Sequence, residues 1–301
     1  MRRPLVAALV AVLVAAGCSD EPRDRAVPDP GAVVVASFNF AESELLAEVY
    51  AQALEDEGVR VRRELGLGTR ELVLPALRQG LVDVVPEYVG SVLDATAPRS
   101  AADRSDLADV VAALDAAVAP WGLAVLEPSA ASNQNVVVVT ADLARTHDLV
   151  AISDLRSLAP SSTIGGPPEC PRRSRCLAGL DDRYGLHFEA FVPLAGADLV
   201  RRALLDGVVD VGVLFSTDAA LAGSELVALA DDRHLQPLDD VVPLVRSAVL
   251  DDPRIRRALD EVSEELTTRS LRFVNWRLVN AGTSVADEAR GWLVRHGLVA
   301  R

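Results

Sequence analysis

Tyr88 and Phe215 stand at the ends of two phrases that the chain writes almost alike. Ala76 to Tyr88 reads ALRQGLVDVVPEY and Ala203 to Phe215 reads ALLDGVVDVGVLF, and six of the thirteen aligned positions are identical. The chemistry open to such a pair of rings is recognition, because an aromatic face attracts a cation through its quadrupole, with roughly 0.5 to 2 kcal/mol per contact. Helix, glycine and strand in that order is also ordinary grammar of α/β proteins, and the repeat alone does not demand a site. Two similar α/β lobes whose facing edges present Tyr88 and Phe215 to one ligand would account for both the repetition and its aromatic endings. Catalytic chemistry finds no comparable footing. The sequence holds no Gly-x-Ser-x-Gly elbow and no His-Glu-x-x-His pair. His147, His187, His234 and His296 are scattered without ligand-like spacing, which gives a metal nothing to bind. Glu42 and Glu44 invite an acid/base reading, but their place in the first turn of a helix fits complementation of its dipole better.

The elements that must position these residues can be followed along the chain. Ala32 to Ser37 is a short apolar run, Phe38, Asn39 and Phe40 form a loop, and Leu45, Leu46, Val49, Ala53 and Leu54 recur with helical period until Gly58. Val59 to Leu65 reads as a strand, Gly66 to Thr69 as a turn, Glu71 to Arg78 as a helix and Val82 to Val85 as a buried strand. Alternation of this kind builds an open sheet covered by helices, with ligands beyond the carboxyl ends of the strands. The plan recurs with strands at Asn135 to Thr140 and Ser162 to Ile164, a helix at Leu199 to Leu205 and a strand at Val208 to Phe215. Asp83 and Asp210, each following a helix-ending glycine, read as solvated turn positions. The apolar run Val241 to Val245, then helical periods at Ile255, Leu259, Val262 and Leu266 and at Val285, Ala289, Trp292 and Leu293, should return to the first lobe. The expected organisation is a lobe of residues 31–134 with 243–301 and a lobe of residues 135–242, joined by two crossing segments that form a hinge.

Composition narrows the partners. The chain has 301 residues, half of them hydrophobic, and a formal charge of −14 that argues against a phosphate-backbone partner, so no nucleic acid is expected. All thirty cationic residues are Arg. The opening MRRPLVAALVAVLVAAGCSD places two Arg before an apolar run that is too short to span a membrane, as a secretory signal does. Ala15-Ala16-Gly17-Cys18 is similar to the lipobox of bacterial lipoproteins, which implies cleavage before Cys18 and lipid on that thiol; a plain signal with an incidental Cys18 is the alternative. Residues 1–18 are thus expected to be a lipoprotein signal and residues 19–30, charged and rich in Pro, a tether. The product would be exported and anchored to the outer face of the cytoplasmic membrane. With Cys18 lipidated, Cys170 and Cys176 remain as a pair in an oxidising compartment, and a disulfide is expected. By loop entropy it would contribute roughly 2 kcal/mol.

The segments ASFNFAESELLAEVYAQALEDEG, LGTRELVLPALRQGLVDVVPEYVGS, NQNVVVVT, PPECPRRSRCLAGL, VGVLFSTDAAL, DDRHLQPLDDVVPLVR and VADEARGWLVRHGL occur in this order from Val33 to the C-terminus. Together they resemble the solute-binding proteins of ABC importers for glycine betaine, choline, carnitine and related osmoprotectants. The resemblance implies an α/β, two-lobed periplasmic-binding-protein fold of type II, a monomer without cofactor or catalytic residues, and capture of a small solute for a membrane permease and its ATPase. Tyr88 and Phe215 sit where the family places aromatics that cage a quaternary ammonium, and Phe38 sits at a loop position that there often carries a polar or cationic side chain. Phe38, Phe40 and Phe215 could each instead be core; for Phe40, which abuts the helix start, core is the preferred reading.

The rest of the expected site follows from the same resemblance. Arg173 lies in the Cys170 to Cys176 loop where related sequences have an Arg, and a planar guanidinium holds a carboxylate with paired hydrogen bonds. Arg172 and Arg175 are its solvated neighbours, Arg175 replacing an aromatic common in close relatives. Asn133, Gln134 and Asn135 begin the first crossing segment and offer amides to the cleft, or simply a turn. Asn39, Arg70, Ser91 and Thr217 complete the expected ligand set, although Thr69 to Glu71 and Ser216 to Asp218 serve equally well as helix caps. Ala41 departs from a family Thr or Pro, Val73 and Leu74 lie where Tyr is common, and Asn135 replaces a Tyr of some members. With aromatics at only 4% of the chain, a four-walled cage is hard to assemble. The alternatives are a different small polar solute, such as an amino acid or polyol, and an envelope lipoprotein with a protein or cell-wall partner. The carboxylates Glu87, Glu169 and Asp218 would decide the cargo.

Overall fold

The computed structural model describes residues 31–97 and 106–300; the expected signal, the tether and Cys18 lie outside them. β1 (Val33–Phe38) is buried along its whole length and leads into α1 (Ala41–Asp56), whose Leu45, Leu46, Val49, Tyr50, Ala53 and Leu54 face the core. β2 (Val61–Gly68), α2 (Arg70–Arg78), β3 (Val84–Tyr88) and α3 (Val89–Thr96) follow, then α4 (Leu107–Val118) and the short β4 (Leu123–Val125). The second lobe contains β5 (Asn135–Thr140), α5 (Ala141–His147), β6 (Thr163–Gly166), a helical turn α6 (Leu177–Gly179), β7 (Ala190–Pro193), α7 (Ala197–Leu205), β8 (Val211–Phe215) and β9 (Leu226–Ala228). The chain then runs through β10 (Val241–Arg246), α8 (Pro253–Glu265), α9 (Thr268–Ala281) and α10 (Val285–His296).

Two five-stranded mixed sheets result, ordered β2-β1-β3-β10-β4 and β7-β6-β8-β5-β9. β10 pairs with β3 over Val241 to Val245, the apolar run expected to return to the first lobe. Each sheet has its own core, and alternation divides the second: Val137, Val139, Val211 and Val213 pack on one face, Val138 and Leu214 on the other against Val200 and Leu204 of α7. Burial at this depth contributes about 1.5 to 3 kcal/mol per large aliphatic side chain.

The twin phrases occupy equivalent places. β3 lies between parallel β1 and antiparallel β10, and β8 between parallel β6 and antiparallel β5. Gly80 (φ 70°) and Gly207 (φ 68°) end α2 and α7 in the left-handed region. Around them Leu81 N donates to Ala76 O and Val208 N to Ala203 O, the backbone closure that left-handed glycine permits at a helix end. Asp83 is not the solvated turn position expected, because it is buried, whereas Asp210 lies exposed in a bend as expected. Asp83 Oδ2 accepts from Val34 N at 2.9 Å and Asp210 Oδ2 from Thr163 N at 2.8 Å, so each carboxylate pins the start of the neighbouring parallel strand. Asp83 is also buried and paired with Arg246 at 2.6 Å.

The segments that cross between the sheets pair with each other: Val241 N donates to Ala131 O at 2.7 Å and Asn133 N to Asp239 O at 3.0 Å. Cys170 and Cys176 form a disulfide with Cα atoms 5.2 Å apart. The sequence gives no clear period for α9. Its buried residues are Leu271 and Val274, while Phe273 and Trp276 stack on its outer side with ring centroids 6.2 Å apart. Among the described residues no helix is long and apolar enough to cross a membrane.

Candidate functional site

The carboxyl ends of β1, β3 and β8 converge, as the position of ligand sites in open α/β sheets leads one to expect. Beyond them Phe40, Ala41 and Glu42 at the start of α1, Tyr88 at the end of β3 and Phe215, Thr217 and Asp218 after β8 border a cleft of about 930 Å³. Arg70, Asn133, Arg173, the turn Ala195 to Leu199 that opens α7, and Asn275, Leu278 and Val279 of α9 complete its wall.

Glu42 organises the first-lobe side. Its Oε1 accepts from the Tyr88 hydroxyl at 2.7 Å and from Asn133 Nδ2 at 2.6 Å, and its Oε2 from Asn275 Nδ2 at 2.6 Å. All three donors are neutral. Asn275 gives its second N–H to Thr217 O at 3.1 Å, tying α9 to the second lobe. Burial, followed by the charge of Glu42, holds the Tyr88 hydroxyl well above its ordinary range, so it remains a donor. The Phe40 ring is 42% exposed and stacks on Tyr88 with centroids 6.4 Å apart. Across the cleft Phe215 is 47% exposed, and its backbone N–H donates to Asp218 Oδ2 at 2.8 Å. Burial pushes the Asp218 carboxyl up, the Phe215 N–H pulls it back, and the charges of Glu42 and Asp198 add to the rise. Arg70 gives Nε and Nη2 to Glu87 at 2.9 and 2.8 Å. Arg173 stands at the mouth, 66% exposed in its side chain, with Nη2 3.4 Å from Glu169.

Of the expected residues, the cleft thus gathers Arg70, Tyr88, Asn133, Arg173, Phe215 and Thr217. It does not gather the others. Phe38 is 3% exposed, because it closes the fully buried β1, and the Arg70 guanidinium lies 5.3 Å from its ring centroid. The order of the two phenylalanines is the reverse of that expected, with Phe38 in the core and Phe40 in the cleft. Asn39 is exposed and its N–H donates to Gly68 O. Ser91 gives both its N–H and its hydroxyl to Asp239, at 2.6 and 2.8 Å. Gln134 pairs its backbone N–H with Ser216 Oγ, and Asn135 Nδ2 turns to Arg175 O and Gln236 Oε1. Arg175 itself pairs with Asp94 of α3.

Glu42, Phe40 and the α9 residues escaped the sequence reading. One signal for Phe40 was present. Phe40 and Tyr88 both occupy N-cap positions, where Ser, Thr, Asn and Asp are preferred, and neither makes a side-chain cap bond. A large aromatic at a helix start gives up a cap, and both such residues here border the cleft.

Comparison with known proteins agrees with this geometry. A family model described as the substrate binding domain of the ABC-type glycine betaine transport system matches residues 31–295. The chain is 27% identical over 283 residues to the glycine betaine-binding protein YehZ of Escherichia coli K12, covering 88% of this chain and 90% of that one. It is 30% identical over 277 residues to a glycine-betaine-binding protein of Pseudomonas aeruginosa PAO1, covering 86% of each. Among solved structures, a glycine betaine/carnitine/choline ABC transporter protein superposes with a TM-score of 0.81 at 20% identity, covering 88% of this chain and 99% of that one. Unliganded YehZ gives 0.77 at 25% identity, with 89% and 99% covered. Those neighbours are two-lobed binding proteins, as the two sheets here require. The chain belongs to the family of substrate-binding domains of ABC-type glycine betaine transport systems, extracytoplasmic proteins that hold a small solute for a permease and catalyse no reaction.

Proposed function

We propose that the protein captures a quaternary ammonium osmoprotectant between its lobes and presents it to an ABC permease and its ATPase. The observation that carries this reading is the placement of Phe40 and Tyr88 on one wall of the cleft and Phe215 on the other, with Glu42 and Asp218 beside them. A quaternary ammonium has no hydrogen to donate, so ring faces and nearby carboxylates are its natural partners. A solute that touches both walls binds the closed arrangement better and shifts the population toward it, with the paired crossing segments as hinge. Lobes of residues 31–134 with 243–301 and of residues 135–242 are the moving bodies. Arg173 at the mouth is the group with which a cargo carboxylate, where present, would pair. A lipid on Cys18, with residues 19–30 as tether, would hold a monomer at the outer face of the cytoplasmic membrane.

Titration calorimetry of the mature chain with glycine betaine, choline, carnitine, proline and a polyol tests the reading. Micromolar binding of a quaternary ammonium is expected. Heat from proline or the polyol alone would remove the ammonium cargo while leaving the family role in place.

A further inference from the structure

What accompanies the cationic head of the cargo is answered by the balance of donors and acceptors in the cleft. Resting on the solute reading above, we propose that the site selects a cation without a carboxylate, a cationic alcohol of the choline type, and that Glu42 and Asp218 set this preference over a zwitterion. Of the side-chain donors that border the cleft, all but the Thr217 hydroxyl and Arg173 are already occupied. The Tyr88 hydroxyl and the amides of Asn133 and Asn275 all donate to Glu42, and Asn275 uses its second N–H on Thr217 O. Arg70 is held by both oxygens of Glu87. The N-terminal end of α7 borders the cleft, but Asp198 in its first turn supplies the negative charge that such an end favours. Arg173 remains, and Glu169 and bulk water screen it.

Acceptors and negative charge, by contrast, are in surplus. Asp218 stands close enough to Glu42 and Asp198 for their charges to act on it. A carboxylate brought into this space meets like charge, whereas a quaternary ammonium relieves the repulsion. Asn133 adds a specific partner for a hydroxyl. Its Nδ2 must face Glu42, which fixes the amide, and its Oδ1 is a buried acceptor without a hydrogen-bond donor. That oxygen is closed to solvent in this arrangement, so a ligand hydroxyl donates to it only as the side chain turns toward the cleft, and then satisfies a group whose isolation otherwise costs about 1 to 3 kcal/mol.

The test is calorimetry of the full mature chain with choline, glycine betaine and 3,3-dimethylbutan-1-ol, the uncharged carbon analogue of choline. It is run on the wild type, Asp218→Asn and Glu42→Gln. The wild type is expected to bind choline at least about tenfold more tightly than glycine betaine, and the analogue more weakly than either. Asp218→Asn keeps an oxygen for the Phe215 N–H and should narrow the choline-to-betaine ratio by about three- to tenfold. Glu42→Gln should narrow it further; should that variant not fold, Asp218→Asn decides alone. Equal or tighter binding of betaine by the wild type, or a ratio unmoved in Asp218→Asn, overturns the inference and leaves the quaternary ammonium reading standing. Silence toward choline and betaine alike overturns the inference, and silence toward carnitine as well overturns the quaternary ammonium reading beneath it.

Discussion

Tyr88 has two attachments: its ring stacks on Phe40, and its hydroxyl donates to the buried carboxylate of Glu42 at 2.7 Å. The two can be separated. Tyr88→Phe keeps the ring and removes one donor from Glu42, so stability should fall by about 1 to 3 kcal/mol in denaturant titrations while affinity for a quaternary ammonium changes little. Tyr88→Ala should lose the affinity as well; equal losses of affinity in the two variants would show that the ring face is not what the cargo meets. Arg173→Ala is expected to weaken glycine betaine more than choline, which has no carboxylate to lose, and calorimetry of both ligands reads the difference. At this scale the sequence was legible where a residue type was unusual for its place. Tyr88 and Phe215 were marked by the repeat, and Arg173 by the resemblance to the family, and all three border the cleft. Glu42 was not, because a glutamate in a first helical turn is explained by the helix dipole before any neighbour is known. Its donors lie far off in sequence, at Tyr88, Asn133 and Asn275.

Among the elements, the repeated helix, glycine and strand were legible because the same backbone closure and the same strand-pinning aspartate serve both sheets. Their environments differ, however, and so should their energetics. Asp83→Ala removes partners from Val34 N and from Arg246 in a buried place and should destabilise by about 3 kcal/mol. Asp210→Ala releases only Thr163 N at an exposed site, about 1 kcal/mol. Comparable losses in parallel unfolding curves would mean that the Arg246 pair adds nothing. The second crossing segment carries a pH signature of its own. Burial raises the Asp240 carboxyl to about 6, and the charge of Asp239 adds to the rise. An acid whose folded value lies above its unfolded value, near 3.9, binds its proton more tightly when folded. Its favourable contribution is present at low pH and fades as pH rises from about 4 to about 6. Asp240→Asn should therefore change the melting temperature little at pH 4 and raise it at pH 7; the opposite ordering would contradict the burial of that carboxyl. What stayed illegible at this scale was α9, whose amphipathic stripe is narrow and whose aromatics face outward.

For the molecule as a whole, the cleft is bridged on more than one side. Asp94 of α3 pairs with Arg175 of the disulfide loop, and Arg272 of α9 donates to Ser216 O at 2.7 Å through Nη2. A ligand that binds between bodies so connected stabilises them together. At a hundred times its dissociation constant it should add about 2.7 kcal/mol and raise the melting temperature by about 5 °C. A thermal-shift series with choline checks this, and an unchanged midpoint at saturating concentration would contradict binding between the lobes. The same helix offers a simpler readout. Trp292 is buried in the first core and Trp121 lies 4.0 Å beneath the Arg78 guanidinium, while Trp276, 41% exposed, follows directly on the cleft residue Asn275. A half-wet indole next in sequence to a residue of the cleft wall makes α9 an intrinsic optical reporter of movement between the lobes, so a shift in the colour of tryptophan emission on saturation with choline is expected without attaching a dye.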